Sequence, residues 1–316
     1  MAALMPSLFA SLKAALRPGV MPAAPPPGAP RTVAGGAPLP PASSDKVEEL
    51  ELELLLEALF QCHGYDFRGY QRAVVMRKVR TLRAQCGLLT ISALQSHILH
   101  NEEACNALLR ALHVAPAHMF DDALEASMLR LSLGASLHGV ALPRVWLADC
   151  AGAQQAWTLA ILLDQEQLAS RTEIYATVNN DATLADIRQA SLPMSQLSEL
   201  QLNYVRSGGA GKLADYFQVS ADGQRATLKP QLASRITWAQ YNLVTDASFN
   251  EFHMILGQRA LPDFGTALRQ RVQQLFNDSL APFGVLALDR ELDAHDPLAR
   301  AYKPILPHQA WYKRIA

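Results

Sequence analysis

The spacing of hydrophobic residues changes character near residue 144. Before that point, from Lys46 to about Phe120, apolar residues recur three or four positions apart, as they do along one face of a helix. After it, short apolar runs alternate with segments of helical period. The change predicts an α-helical bundle domain, which we place at residues 46–125, followed by an α/β domain at residues 140–316.

The helical domain is predicted to contain four helices. The first is marked by Leu50, Leu54, Leu55 and Leu59, and the others span Arg68–Ala84, Ile91–His100 and Glu102–Leu112. In the second helix an apolar stripe of Val75, Val79 and Leu82 leaves the basic residues mostly on the solvent side. Such a face either binds an acidic partner or is simply solvated. The candidate partner-binding residues on it are Arg72, Arg77, Arg80 and Arg83.

The α/β domain is predicted to contain a mostly parallel sheet with helices on both faces, because its strands and helices alternate. The predicted strands are Val145–Ala148, Glu173–Thr177, Ile236–Leu243, Glu251–Leu256 and Val285–Asp289, and the predicted helices are Gln154–Leu163, Thr183–Gln189 and Gly265–Leu280. A hairpin signal at Asp215–Leu228 predicts a small antiparallel β insertion at about residues 212–232. The tail at Gln309–Ile315 is predicted to be the final edge strand.

The stretch from Val145 to Leu163 organises this domain. It reads as a strand, a tight turn at Asp149–Ala153 and a helix with Ala156, Leu159, Ala160 and Leu163 on one face. A strand, turn and helix of this kind is the first unit of a doubly wound fold. The turn is where such folds hold a nucleotide-like ligand.

Two segments precede the helical domain. Residues 1–16 carry Leu4, Leu8, Leu12 and Leu16, and such spacing is consistent with a short amphipathic helix. That helix would either dock on a partner or membrane surface, or form a weakly helical terminus. Residues 17–45 are rich in Pro, Ala and Gly, which predicts an extended linker.

Composition and charge exclude several classes of function. The net charge of −1 implies no global attraction to nucleic acid, and no apolar run approaches the roughly 18 residues that a membrane span needs. The N-terminus lacks the pattern of a secretory signal. The four cysteines are scattered and none has metal-ligand spacing, so we expect a cytoplasmic protein without a metal site. The glycine-rich run Ser207–Gly211 is not followed by the lysine of a phosphate-binding loop.

Several ordered phrases of the chain are those of a known family. They are Gly64–Tyr70, Met119-Phe120, Cys150 with Leu159–Leu163, Ile174–Thr177, Asn242-Leu243, Thr245-Asp246 and Ser248–Phe252. With them, residues 47–316 resemble the CheR-type chemotaxis receptor methyltransferases, which transfer a methyl group from S-adenosylmethionine to receptor glutamates.

The resemblance implies a helical domain joined to a Rossmann-like methyltransferase domain with a small β insertion. It also implies that Asn242 and Leu243 lie beside the adenine of S-adenosylmethionine. In the family the basic helix faces an acidic chemoreceptor. A protein partner of that kind is therefore expected for the arginine face.

Polar positions of the family's cofactor site differ here. The family's cofactor loop has glycine where this chain has Asp149, threonine at Gly152, glycine at Ala153, and two glutamates at Gln154 and Gln155. A charged side chain at the first position would fill space that glycine leaves open for a ligand. Glutamine also cannot supply the charge-assisted bond of a carboxylate.

The acid that takes the ribose hydroxyls is replaced by Val178, and Asp181 is the nearest substitute, although it reads better as a helix cap. At the domain junction the family's Asn, Thr and Arg are replaced by Ala115, Ala117 and Asp121, and the last change reverses the local charge. The family's Arg-Asn pair after the fourth strand is replaced by Gln258 and Arg259.

Three hypotheses follow for this degenerate member of the family. The first is a pseudo-methyltransferase that binds no S-adenosylmethionine and acts as a protein-interaction scaffold in a chemosensory or signalling pathway. The second is an active protein-glutamate methyltransferase that uses S-adenosylmethionine in a rearranged site, with His118, Asp149 or Asp181 standing in for missing groups. The third is a pocket reused for a cationic ligand, favoured by Asp149, Asp121 and Asp122. We favour the first.

Overall fold

The computed structural model describes residues 44–293 and 296–315. The amphipathic helix predicted at residues 1–16 and nearly all of the linker predicted at residues 17–45 lie outside these ranges.

The helical region contains the four predicted helices. They are α1 (Ser44–His63), α2 (Arg72–Gln85), α3 (Ile91–His100) and α4 (Glu102–Leu112). Side-chain oxygens of Thr90 and Asn101 accept hydrogen bonds from the first turns of α3 and α4, so these two helices begin where the sequence predicted. A fifth helix, α5 (Ala123–Leu137), which the sequence reading did not include, follows the domain junction.

The apolar stripe predicted on α1 was wrong in part. Leu55 and Leu59 are buried as expected, but Leu50 and Leu54 are 55% and 51% exposed. The buried face is completed by Leu52 and Leu56, because 52, 55, 56 and 59 share one side of the helix. A leucine-rich helix offers two overlapping stripes, and packing against α3 selects one of them.

The main sheet has seven strands in the order β6-β2-β1-β7-β8-β10-β9, and its first five are parallel. The strands are β1 (Arg144–Leu147), β2 (Glu173–Val178), β6 (Ile236–Gln240), β7 (Phe252–Leu256), β8 (Leu280–Ala287), β9 (Tyr302–Pro304) and β10 (Trp311–Arg314). The tail strand β10 lies between β8 and β9, so its predicted position at the sheet edge was wrong. The outer side of β10 pairs with β9, a three-residue strand that the hydrophobic pattern did not predict.

Helices connect the parallel strands. They are α6 (Ala153–Gln165) after β1, α7 (Asp181–Arg188) after β2 and α10 (Thr266–Ser279) after β7, all close to their predicted bounds. α6 is buried along nearly its whole length. The fold is therefore the predicted α/β architecture preceded by helices.

The insertion is a three-stranded antiparallel sheet in the order β3-β5-β4. The hairpin of β4 (Phe217–Val219) and β5 (Arg225–Leu228) was predicted, and its turn contains Gly223 at φ +70°. The third strand, β3 (Leu192–Pro193), and the helix α8 (Met194–Arg206) were not predicted. A one-turn helix, α9 (Pro230–Ala233), leads back to the main sheet.

A backbone bridge joins the helical region to the segment between β7 and α10. Tyr70 pairs with Phe264 as an isolated antiparallel bridge, and the Gln71 N–H donates to the Asp263 carbonyl at 2.8 Å. The Gly265 N–H donates to the Gly69 carbonyl at 2.9 Å. Added side-chain bulk at position 265 would meet that carbonyl at 2.8 Å, so glycine permits the close approach.

Within the described ranges, none of the helices combines the length and the apolar character needed to cross a membrane.

Candidate functional site

The candidate cofactor site is the turn between β1 and α6, at the carboxyl ends of the parallel strands. Gly152 is the N-cap of α6 with φ +116°, a conformation that only glycine adopts readily. Asp149 also has a positive φ, +51°, which aspartate tolerates better than most side chains. The turn therefore keeps a shape suited to ligand approach, but one of its strained positions carries a carboxylate.

That carboxylate is turned into the protein. Asp149 is 4% exposed, and its Oδ1 lies 3.4 Å from Nδ1 of His113. The other ring nitrogen of His113, Nε2, lies 3.0 Å from the Cys150 carbonyl oxygen, so the imidazole lies against the turn. Burial raises the pKa of Asp149 above its ordinary value, and the neighbouring His113 and Lys78 oppose that shift.

Further polar groups surround this pair. Burial, with the nearby Asp149 charge, raises the pKa of Tyr70 well above its ordinary value, and the Asn179 side chain beside it opposes that shift. Lys78 Nζ donates to Asp263 Oδ2 at 2.7 Å and to the His113 carbonyl at 2.8 Å.

We call this set of residues the clasp. Tyr70, Lys78 and His113 come from the helical region, and Asp149, Asn179 and Asp263 come from the α/β region. Tyr70 and Asp149 lie in phrases singled out from the sequence, but nothing in the sequence relates the six residues to one another, so their shared location emerges only from the fold.

The domain junction covers the same turn. The Ala117 N–H donates to the Ala151 carbonyl at 3.0 Å, and Val114, Ala117 and Ala151 form a small buried apolar cluster. Of the two junction alanines at positions that are polar in the family, Ala117 packs on the turn through its methyl group, whereas Ala115 is exposed. Backbone acceptors of the turn are used by the chain itself.

Gln154 and Gln155 are also committed to the chain. Gln154 Oε1 accepts a hydrogen bond from the Met119 N–H at 3.1 Å, and Gln155 Oε1 accepts one from the Ala151 N–H at 2.7 Å. These amides join the start of α6 to the junction and to the turn. They replace charged groups by neutral groups that already have partners.

The end of β2 offers no acid to a ribose. Val178 is fully buried within the main core. Asp181 was predicted to cap α7, but the cap is Asn180, whose side chain accepts from the Thr183 N–H at 2.8 Å. Asp181 is the first residue of α7, and the Gln240 amide, with its nitrogen turned toward it, donates to its carboxylate at 3.0 Å.

Asn242 and Leu243 follow β6, at the same edge of the sheet. Asn242 Oδ1 accepts from the Val244 N–H at 2.9 Å, and the Asn242 N–H donates to Asp246 Oδ2 at 2.9 Å. The Leu243 side chain is buried. The Asn242 side-chain oxygen therefore closes a local turn.

The charge reversal predicted at Asp121 is compensated. Arg259 Nη2 lies 3.3 Å from Asp121 Oδ1 and 2.9 Å from Glu125 Oε2. Burial raises the pKa of Glu125, and the Arg259 charge opposes that shift. Both departures from the family were expected from the sequence, but their pairing was not.

Two cavities of very different size border these groups. Arg259, Asp121 and Glu125 line a cavity of about 30 Å³ that also borders Ala117 and Gln155. That is room for about one water molecule. A larger cleft of about 660 Å³ lies nearby, and its lining includes Gln258, Arg259 and Trp311 but none of the predicted cofactor-binding residues.

The candidate partner-binding arginines differ in their surroundings. Arg80 and Arg83 form ion pairs with Glu48 of α1, and Arg72 pairs with Glu53 at 3.0 Å. Arg77 is exposed and forms no ion pair within the described ranges. Three of the four candidate arginines on α2 thus pair with carboxylates of α1.

The main sheet has seven strands with a parallel core, a turn joins the first strand to a helix, and further helices precede the sheet. These are the features of S-adenosylmethionine-dependent methyltransferase folds with an all-α domain in front. Comparison with family models is specific. Residues 120–291 match the CheR methyltransferase, SAM binding domain, and residues 50–113 match the CheR methyltransferase, all-alpha domain. The chain belongs to the CheR methyltransferase family.

Two relatives agree with this assignment. "Putative methyltransferase Cher3" of Pseudomonas putida is 30% identical over 273 residues, which is 86% of this chain and 99% of that protein. "Chemotaxis protein methyltransferase 1" of Pseudomonas aeruginosa is 26% identical over 147 residues, 46% of this chain and 53% of that protein. Among solved structures, the glycopeptide N-methyltransferase MtfA complexed with sinefungin is 18% identical, covering 54% of this chain and 50% of that chain with a TM-score of 0.31.

Proposed function

We propose that this CheR-family protein is a pseudo-methyltransferase, which binds partners as a scaffold in a chemosensory or signalling pathway and uses no S-adenosylmethionine. The supporting observation is that the groups around the β1–α6 turn are bonded to the chain itself. Asp149 faces His113, Gln155 holds the turn, and Asn242 closes its own loop. We also propose a cytoplasmic location, on the scattered cysteines of the sequence.

The lost contacts are large enough to matter together. A neutral hydrogen bond contributes about 0.5–1.5 kcal/mol, and a bond to a charged group about 1.5–3 kcal/mol. Every 1.4 kcal/mol is roughly a factor of ten in affinity. Loss of the charged contacts at Val178, Gln154 and Gln155 would therefore weaken cofactor binding by several orders of magnitude.

Isothermal titration calorimetry with S-adenosylmethionine and with S-adenosylhomocysteine tests this proposal. We expect no saturable heat up to millimolar ligand. The Pseudomonas aeruginosa relative named as a chemotaxis protein methyltransferase, titrated with the same ligand stocks, serves as the positive control. Micromolar binding by this protein would end the proposal and favour the alternative, an active protein-glutamate methyltransferase. Transfer of a labelled methyl group to a chemoreceptor fragment would then establish that activity.

For the partner we infer an acidic protein surface, such as a chemoreceptor or another signalling protein, that contacts the α2 face. The groove beside this face is lined by Arg72, Arg77 and Arg80, by Met76 as an apolar group, and by the α1 carboxylates Asp45 and Glu49. Because Arg72, Arg80 and Arg83 already have carboxylate partners on α1, Arg77 is the cation with most to gain from an acidic partner.

Charge reversal at Arg77 should weaken binding to an acidic chemoreceptor cytoplasmic fragment by about tenfold or more at low salt, because like charges oppose association. The loss should shrink as salt screens the exposed charges. Surface plasmon resonance on Arg77→Glu measures it. Arg206→Glu, at the end of α8, makes the same charge change away from this face and should bind like the unchanged protein. An Arg77→Glu variant that binds normally would contradict this assignment of the face.

A further inference from the structure

Asp149 occupies a position where a side chain is costly to place. Its φ of +51° is strained for an L residue, and its carboxylate is taken out of water. Its Oδ1 has no hydrogen-bond partner within the described ranges, and neither has Nδ1 of His113. Stability of the turn alone does not explain a buried, incompletely bonded carboxylate there.

The side chain instead fills the space over the turn. His113 packs from the helical region against Asp149 and against the Cys150 carbonyl. Ala117 packs against Ala151 immediately beside them. Ligands of doubly wound folds lie in the crevice outside the carboxyl ends of the strands, which is where this carboxylate and imidazole lie.

We propose that Asp149 is the specificity-determining residue that keeps S-adenosylmethionine out of this fold, by occupying the β1–α6 turn and seating His113 on it. This inference rests on the proposed absence of cofactor binding and names its cause. The exclusion is steric. The Asp149 carboxylate, and the His113 imidazole that packs against it, occupy the space in which a ligand would contact the backbone of the turn. Glycine at position 149 would keep the positive φ without strain and leave that volume open.

The experiment compares four forms of the full-length chain by calorimetry with S-adenosylhomocysteine. They are the unchanged protein, Asp149→Gly, Asp149→Asn and His113→Ala. Asp149→Gly should bind at least tenfold more tightly than the unchanged protein. Asp149→Asn keeps the side-chain volume and removes the charge, so it should stay as weak as the unchanged protein. His113→Ala retains Asp149 in the turn and should also stay weak.

Thermal melts show whether each variant is folded. Should Asp149→Gly fail to fold, Asp149→Ala, which removes the carboxylate but keeps Cβ, replaces it and should give a smaller gain of binding. A folded Asp149→Gly that binds no better than the unchanged protein overturns the inference and leaves the proposed function standing. Gain of binding in Asp149→Asn or in His113→Ala equal to that of Asp149→Gly overturns exclusion by the Asp149 volume. Micromolar binding by the unchanged protein overturns the inference and the proposed function together.

Discussion

Replacement of Trp146 by alanine is expected to cost about 3–5 kcal/mol of unfolding free energy, the range for truncating a large aromatic residue in a core. Trp146 lies on the central strand β1 and is fully buried. Its ring stacks on Phe252 at a centroid distance of 5.1 Å and meets Tyr241 and Phe276 edge-on. Its Nε1 donates to Thr177 Oγ1 at 2.9 Å, so truncation also leaves a buried hydroxyl without its donor.

Urea denaturation followed by circular dichroism measures this loss. Trp238→Ala is the matched control, because Trp238 has the same chemistry but is only partly buried on the edge strand β6. We expect the control to cost clearly less than Trp146→Ala. Equal losses for the two variants would mean that the aromatic cluster around β1 does not stabilise the domain as the structure indicates.

The hydrophobic pattern was enough to predict most of the elements. The helices α3 and α4 have the bounds expected from spacing and capping residues, since both signals are local. Leu50 and Leu54 were misplaced because the spacing of leucines in α1 allows two faces, and only the neighbouring helices decide between them. β3 and β9 were not predicted because two- and three-residue strands carry almost no periodicity of their own.

The resemblance to the family predicted which single positions of the candidate site differ, but it did not predict which of the new side chains contact each other. Asp121 and Arg259 each departed from the family's pattern, and the sequence reading treated both as losses. They lie 138 residues apart and meet as an ion pair in the fold. The sequence did carry one signal of this pair, because a new acid and a new base both appear at positions where the chain differs from the family.

The sequence indicated the clasp even less clearly than it indicated the Asp121–Arg259 pair. Tyr70 ends one of the family phrases, Lys78 lies within α2 and His113 follows α4, and nothing in their spacing relates them to Asp149. They converge because the bridge between Gly69–Gln71 and residues 263–265 lays the helical region across the strand ends. The motifs along the chain show which groups of the family's cofactor site are absent, whereas the fold shows which side chains occupy the crevice at the β1–α6 turn.

Replacement of Lys78 by methionine should destabilise the protein by about 2–4 kcal/mol, slightly below the range for breaking a fully buried ion pair. The Lys78 and Asp263 side chains are 19% and 18% exposed, so screening by water removes only part of the effect. Methionine keeps the apolar stem of the lysine but leaves Asp263 and the carbonyls of Leu112 and His113 without their donor. Urea denaturation measures the change.

Arg110→Met provides the matched control, since Arg110 also joins the helical region to the α/β region through Asp186. That pair is 45% and 54% exposed, and its loss should cost no more than about 1 kcal/mol. A Lys78 variant that is as stable as the Arg110 variant would contradict a stabilising clasp. The expected difference would instead mean that a protein-only polar cluster, at the crevice where related folds hold a ligand, joins the two regions through bonds of its own chain.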